Sequence, residues 1–488
     1  MSGRSPRTAA RLAGRAWHAL GVERLGGSDS GFLFIETEEQ TSVCVDLIEL
    51  APEVEGASLL TREDLCERVR DRIHLLPSWT WRLEPVPLRI HHPVWVEDPE
   101  FRVEDHIRHR VLPAPGGPDE LNALMAELEP MRLDLRHPLW QIVLVDGLGG
   151  PGSTRQALVL RIHHTVADGA AILHTFDLLF GDAAGELPRP AAHAAAPLPK
   201  KRTLFKDAAK EQARNWRELP RMLKDTKAIF AKVEARREEA VAEVPRPMGD
   251  APHTIINQPG PAIRTYARSK VPIAELQRVR TTTGATLNDV ALAMVAGSLR
   301  AYLLARDALP EKALVANVPV SGDPPGTPPR QWGNRFANFF ALLHTDVADP
   351  KERLLKISES TAEAKLQLSL QGHDTLTEWL DRMPPLVGRP AARSMVNRSA
   401  RNTEKADFNA LVSNVRISAR DWRIGGHRVS HVYLSGPIGD DTGLNITVVG
   451  YDDDLHMTVV GNPVTMERPD EVVDGMVLAL EELIACTA

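Results

Sequence analysis

Cysteine is scarce in this chain: Cys44, Cys66 and Cys486 are the only three in 488 residues. None falls in a CxxC pair. The spacing gives neither a disulfide framework nor a structural zinc centre, and it fits a reducing cytosol. Several catalytic signatures are missing too. There is no GxSxG elbow, which removes the usual serine hydrolase. There is no HExxH, and no third ligand accompanies any histidine pair, so no metal is expected. No GxGxxG leads from a strand into a helix and no P-loop occurs, so neither a dinucleotide nor a nucleoside triphosphate is an expected ligand. No apolar run approaches the roughly 18 residues of a membrane span. The basic N-terminus, MSGRSPRTAARLAGRAWHALG, lacks a long apolar core and a clear cleavage site, so no signal peptide is expected.

What remains is a globular composition, 43% hydrophobic and 25% charged. The length exceeds one ordinary core and predicts two or three domains. A net charge of −7 supplies no global basic field for nucleic acid.

The pattern along the chain divides it in three. Residues 1–185 mix strands (CVDLIEL, WQIVLVDGL, RQALVLRIHH) with helices (PDELNALMAELEPM, and GAAILHTFDLLFGD ending at Gly181). Residues 186–262 open as a Pro/Ala linker and continue as a basic helical segment. There Phe205, Ala209, Trp216, Leu219, Leu223, Phe230 and Val233 form a rough apolar stripe, and Pro220 predicts a kink. Residues 263–488 form a second mixed lobe. Its strong helix, TLNDVALAMVAGSLRAYLLAR, opens on a capping-box pattern of Thr286 with Asp289. Strands follow in KALVANVPVSG, NRFANFFALLHTD and FNALVSNVRIS. GLNITVVGYDDDLHMTVVGN predicts a hairpin around an acidic turn, and PDEVVDGMVLALEELIACTA a terminal helix.

The stretch richest in chemistry is RIHHTVADGAAI, residues 161–172. Neighbouring strand residues face opposite ways, so His163 and His164 cannot both enter one cleft. A strand-end histidine suits a general base, since its ordinary pKa of about 6.5 lies near working pH. Asp168 is placed to hold the turn by pairing with an arginine, and Gly169 to allow a close backbone approach. The plainer alternative is a core strand followed by an N-capping aspartate. The pair His91–His92 lacks the Asp-Gly offset and reads as structural. One base without a resident nucleophile suggests direct transfer from an activated donor to an acceptor.

HHxxxDG is the mark of the CoA-dependent acyltransferase superfamily. Further stretches resemble the bacterial wax ester synthase/acyl-CoA:diacylglycerol acyltransferase family: RLGGSDSGFLFIETEEQ, VPLRIHHPVWVEDPEFRVEDHI, LDLRHPLWQ, TLNDVALAMVAGSLRAYL, NVPVS with GNRFANFF, SNV, and GLNITVVGYDDDLHM. The likeness runs from about residue 25 to 486. It departs at Gln141, where glutamate is usual, and at TEEQTSVCVD, which lacks a Met-His segment. The resemblance implies an α/β fold of mixed sheets, in two lobes similar to chloramphenicol acetyltransferase, with a tunnel between them. It implies His164 as general base, with His163, Asp168 and Gly169 organising the loop and Asn288 contacting the oxyanion or the acceptor. Pro138, Leu139, Trp140, Asp289, Gly333 and Asn334 are the implied substrate contacts. For Asp289 a helix N-terminal turn is the plainer alternative, and for Pro138, Leu139 and Trp140 it is core packing.

The implied reaction joins a long-chain acyl group from acyl-CoA to a fatty alcohol or diacylglycerol, without a cofactor. The implied setting is cytoplasmic, at a membrane or lipid-droplet surface, with the basic segment Lys200–Arg237 as the candidate contact; a helix burying its stripe between the lobes is the plainer alternative. A condensation-type enzyme using carrier-protein thioesters and a non-catalytic lipid-binding scaffold are the alternatives.

Overall fold

The computed structural model describes residues 22–54, 58–181, 197–246, 249–324, 326–402, 404–416, 421–439 and 443–487. The basic N-terminal stretch and most of the Pro/Ala linker lie outside them. Two six-stranded mixed sheets organise the chain. Their strands, in chain order, are β1 (Val43–Pro52), β2 (Ile107–Val111), β3 (Trp140–Leu148), β4 (Arg155–His163), β5 (Thr265–Pro272), β6 (Val315–Ser321), β7 (Phe336–Leu342), β8 (Ala410–Arg416), β9 (Arg423–Ile424), β10 (His427–Tyr433), β11 (Leu444–Tyr451) and β12 (Asp454–Gly461). One sheet runs β9-β10-β1-β4-β3-β2 and the other β7-β6-β8-β11-β12-β5.

β4 reads as a continuous apolar run because both faces of its sheet are covered. Leu158, Leu160 and Ile162 pack with Ile172 and Phe176 of the helix Gly169–Phe180, and Ala157 and Val159 pack with Leu121, Leu124 and Met125 of the helix Pro118–Leu128. β11 and β12 form the expected antiparallel hairpin, with Asp452 at φ 54° in its turn. The helix Leu287–Leu304 starts where expected: Thr286 Oγ1 accepts from Asp289 N at 3.2 Å, and Asp289 Oδ2 accepts from Thr286 N at 2.9 Å. It is the one helix among the described residues that is long and apolar enough to cross a membrane. Twelve of its 18 residues are buried in the second core, so it packs as a core helix.

Two expectations need correction. The division at residue 263 does not separate the sheets, because β9 and β10, which follow it by some 160 positions, complete the first sheet. β10 pairs antiparallel with β1, from His427 opposite Pro52 to Tyr433 opposite Leu47. The apolar stripe of the basic segment is two faces rather than one. The helix Lys201–Glu239 runs unbroken through Pro220. It buries Leu204, Ala208, Met222 and Val233, and leaves Phe205, Trp216, Leu223 and Phe230 exposed.

Candidate active site

β4 delivers His163 and His164 to its end, and the side chains part as alternation requires. His163 is buried; its Nδ1 accepts from Thr165 N at 3.1 Å and its Nε2 lies 3.3 Å from Glu36 Oε1. His163 holds the Glu36 carboxyl below the ordinary glutamate value despite its burial. His164 faces the other way. Its ring stacks on Phe32 at 4.0 Å, with Phe336 edge-on at 6.4 Å, and its backbone N donates to Ser42 O at 2.7 Å.

His164 Nδ1 lies 2.9 Å from Asn334 Oδ1. Asn334 is itself fixed: Nδ2 donates to His164 O at 2.6 Å and to Asp29 Oδ1 at 2.9 Å, and its backbone N donates to the same carboxylate oxygen at 2.7 Å. Those two donations identify the remaining amide atom as oxygen. An amide oxygen only accepts, so Nδ1 carries the proton and Nε2 keeps its lone pair. Burial lowers the imidazole below its ordinary pKa, which favours the neutral ring. The arrangement therefore leaves Nε2 as the basic nitrogen of the ring.

Asp168 makes the expected arginine pair and is also the N-cap of the plainer alternative. Oδ1 accepts from Ala171 N at 3.1 Å and caps the next helix, while Oδ2 accepts from Arg330 Nη2 at 2.6 Å and from Arg335 N at 2.9 Å. Arg330 also holds Asp323 at 2.8 Å. Gly333 sits at φ 81°, where other residues are strained, and its N donates to Val166 O at 2.6 Å. Segment 330–335 is thus bound to the HHxxxDG turn from the second half of the chain. A Cβ at Gly169 would lie 3.3 Å from Val415 Cγ2, so glycine admits the close approach of β8.

Other implied substrate contacts fall elsewhere. Asp289 is 2% exposed and saturated: besides its capping bond it accepts from Ser358 Oγ at 3.1 Å and Thr361 Oγ1 at 2.8 Å. It is a helix-start anchor. Pro138, Leu139 and Trp140 are buried. Trp140 stacks on Trp79 at 4.1 Å and donates from Nε1 to Trp79 O at 2.7 Å, while Leu139 O accepts from His163 N at 3.0 Å. That triplet is core packing beneath the motif. Gly333 and Asn334 hold the motif rather than an open pocket. Asn288 Oδ1 accepts from Asn414 Nδ2 at 3.4 Å, and its own buried amide nitrogen has no hydrogen-bond partner among the described residues. The pair His91–His92 is buried, and His91 Nδ1 accepts from His92 N at 2.9 Å.

Asp29 and Phe32 were not among the expected site residues. GSDSGFLFI forms a helix, Gly27–Ile35, in which Asp29 also accepts from Gly26 N at 3.1 Å. An aspartate three residues after a glycine at a helix start reads as a cap, and the sequence carries no sign of its second duty.

A strand-end histidine at the seam of two mixed α/β lobes, held from both halves of the chain, belongs to a two-lobed fold of the acyltransferase kind. The chain belongs to the wax ester synthase/diacylglycerol acyltransferase family: the model of that family's catalytic domain matches residues 25–291 and the model of its C-terminal domain matches residues 332–484. Two Mycobacterium tuberculosis proteins, each provisionally designated a diacylglycerol O-acyltransferase, are 31% identical over 95% of this chain and 96% of their own, and 32% identical over 95% and 97%. The solved wax ester synthase/diacylglycerol acyltransferase from Marinobacter aquaeolei is 25% identical, with a TM-score of 0.66 over 95% of this chain and 99% of its own. A condensation domain of the CDA synthetase shares the fold at 18% identity and a TM-score of 0.57.

Proposed function

We propose that this acyltransferase moves a long-chain acyl group from acyl-CoA to a fatty alcohol or diacylglycerol, with His164 as general base. The observation that carries the mechanism is the Asn334 contact at His164 Nδ1, which reserves Nε2 for the acceptor's proton. The acceptor hydroxyl gives its proton to Nε2 as its oxygen bonds to the thioester carbonyl carbon. The resulting tetrahedral oxyanion collapses, the carbon–sulfur bond breaks, and the CoA thiolate takes the proton back from Nε2. No acyl-enzyme intermediate and no cofactor enter the scheme. The unpartnered amide nitrogen of Asn288 is our candidate donor to the oxyanion or the acceptor, because a buried N–H without a partner gains most from a developing negative charge.

Family membership supports the acyl-CoA and lipid-acceptor classes. The carrier-protein alternative rests on fold likeness alone. The reading includes peripheral residence at a cytoplasmic membrane or droplet surface, where such lipids are held. The test is a panel of fatty alcohols and diacylglycerols offered with palmitoyl-CoA, run beside a palmitoyl carrier-protein donor. Ester formation only from the CoA donor is expected. Turnover only from the carrier donor would replace the reading with the condensation type, and no turnover from either would leave the scaffold.

A further inference from the structure

The exposed row on the helix Lys201–Glu239 has an order that composition did not reveal. Phe205, Trp216, Leu223 and Phe230 are spaced by 11, 7 and 7 residues. At about 100° per residue they lie within roughly 40° of one another, in a row about 37 Å long. They are 37%, 63%, 53% and 53% exposed. Scattered exposed apolar residues are ordinary; an aligned row with two aromatic rings and a third at its end is a contact surface. The helix is already anchored by its other apolar face, through Leu204, Ala208, Met222 and Val233. The row is therefore surplus to packing among the described residues.

Charge around the helix axis is sorted as well. Twelve lysines and arginines against seven carboxylates give the helix +5, in a chain of net −7. Four of the seven carboxylates are held by arginines outside the helix: Asp207 and Glu211 by Arg24, Glu218 by Arg382, Glu234 by Arg246; Asp225, Glu238 and Glu239 are exposed. The exposed Lys206, Lys210, Lys224, Lys227 and Lys232 pair with no carboxylate among the described residues. They occupy the arc next to the apolar row, on the side away from the buried face.

We infer that this face docks on an anionic lipid surface, the apolar row entering the headgroup boundary and the lysines meeting the lipid charge. That is the division of labour of an interfacial helix. A second copy of this chain fits worse, because a twofold contact would set the basic arc against itself. The inference deepens the reading above, in that it gives a route to bilayer-held substrates; its evidence is the helix alone.

The test is flotation of the full chain with phosphatidylcholine vesicles containing or lacking phosphatidylglycerol, at low and high salt. The wild type should float with the anionic vesicles only, and less at high salt. Leu223→Gln/Phe230→Gln and, separately, Lys206→Gln/Lys210→Gln/Lys224→Gln/Lys227→Gln should each weaken binding by more than about tenfold. Both variants should keep the wild-type melting temperature and the wild-type rate with a short-chain acyl-CoA and a water-soluble alcohol. Wild-type protein that stays off anionic vesicles, variants that float as well as wild type, or a solution dimer that Leu223→Gln/Phe230→Gln dissociates while vesicle binding persists would each overturn the assignment. Intact vesicle binding without turnover of the soluble pair would overturn the reaction and leave the surface standing.

Discussion

Asn334 grips His164 twice: its Oδ1 meets ring Nδ1 at 2.9 Å and its Nδ2 donates to the carbonyl of the same histidine at 2.6 Å. Ring and backbone are thus fixed by one side chain from the other half of the chain. Asp29 in turn fixes that side chain.

Asn334 should therefore set the pH profile. In the proposed mechanism the working ring is neutral, so kcat/KM should rise with pH as His164 loses its proton, and burial puts that limb below the ordinary histidine range. Asn334→Asp sets a carboxylate beside Nδ1, favours the charged ring and should move the acid limb to higher pH. Asn334→Ala should lower kcat more than it changes KM. A limb unmoved in Asn334→Asp would remove Asn334 from this role.

Replacing His164 by alanine should cost about 10²–10⁴-fold in turnover, the range general-base catalysis supplies. The ring stacks on Phe32 and meets Phe336 edge-on at a half-buried position, so the variant should fold, as circular dichroism and melting would report. Turnover within a few-fold of wild type would sink the mechanism.

Asp168→Ala should act through stability. It removes a helix cap and half of the buried pairing of Arg330, for which breaking such a pair costs about 3–5 kcal/mol. Asp323 stays on Arg330, so the loss should fall at the lower end. Denaturant titration and turnover should decline together. A variant as stable as wild type but inactive would instead argue for contact with the reacting atoms.

Asp46 supplies a stability test with a defined sign. Burial pushes its carboxyl up to about 7, while Ser435 N donates to Oδ1 at 2.9 Å. In the unfolded chain an aspartate ionises near about 4. Between those values the unfolded chain gives up the proton and the folded chain keeps it. Stability from this group is therefore full below about 4, declines as pH rises toward about 7, and is level above, by at most about 1.4 kcal/mol per pH unit. Asp46→Asn keeps the acceptor for Ser435 and should show a shallower decline in urea titrations at pH 5, 6 and 7. Identical slopes would mean that Asp46 is ionised in the folded protein throughout.

Local pattern carried much of this structure. The strand ending at His163, the aspartate cap, the turn glycine, the hairpin at residues 444–461 and the Thr286 cap all follow from spacing within 18 residues or fewer. What the pattern could not carry depends on distance along the chain. The family resemblance marks Asn334 as a substrate contact, but its hold on His164 spans 170 positions. Asp29 has the look of a helix cap because it is one, and its second task leaves no separate trace. The buried Pro138, Leu139 and Trp140 look the same in sequence whether they line a pocket or fill a core. The face sorting along the helix Lys201–Glu239 emerges only once it is known which residues the lobes cover.

The strand His427–Tyr433 has a consequence for how the molecule is made. Until it arrives, Val43–Pro52 stands at the margin of a four-stranded sheet, with its outer N–H and C=O groups open and its apolar sequence exposed to any passing strand. Asp46 and Ser435 are 389 positions apart. At about 5–20 residues per second, a ribosome takes roughly 20–80 s to cover that interval. For all that time the nascent first sheet is unsealed, and a chain stopped at residue 262 would stay so. Such a fragment should stick to itself rather than behave as a free-standing lobe.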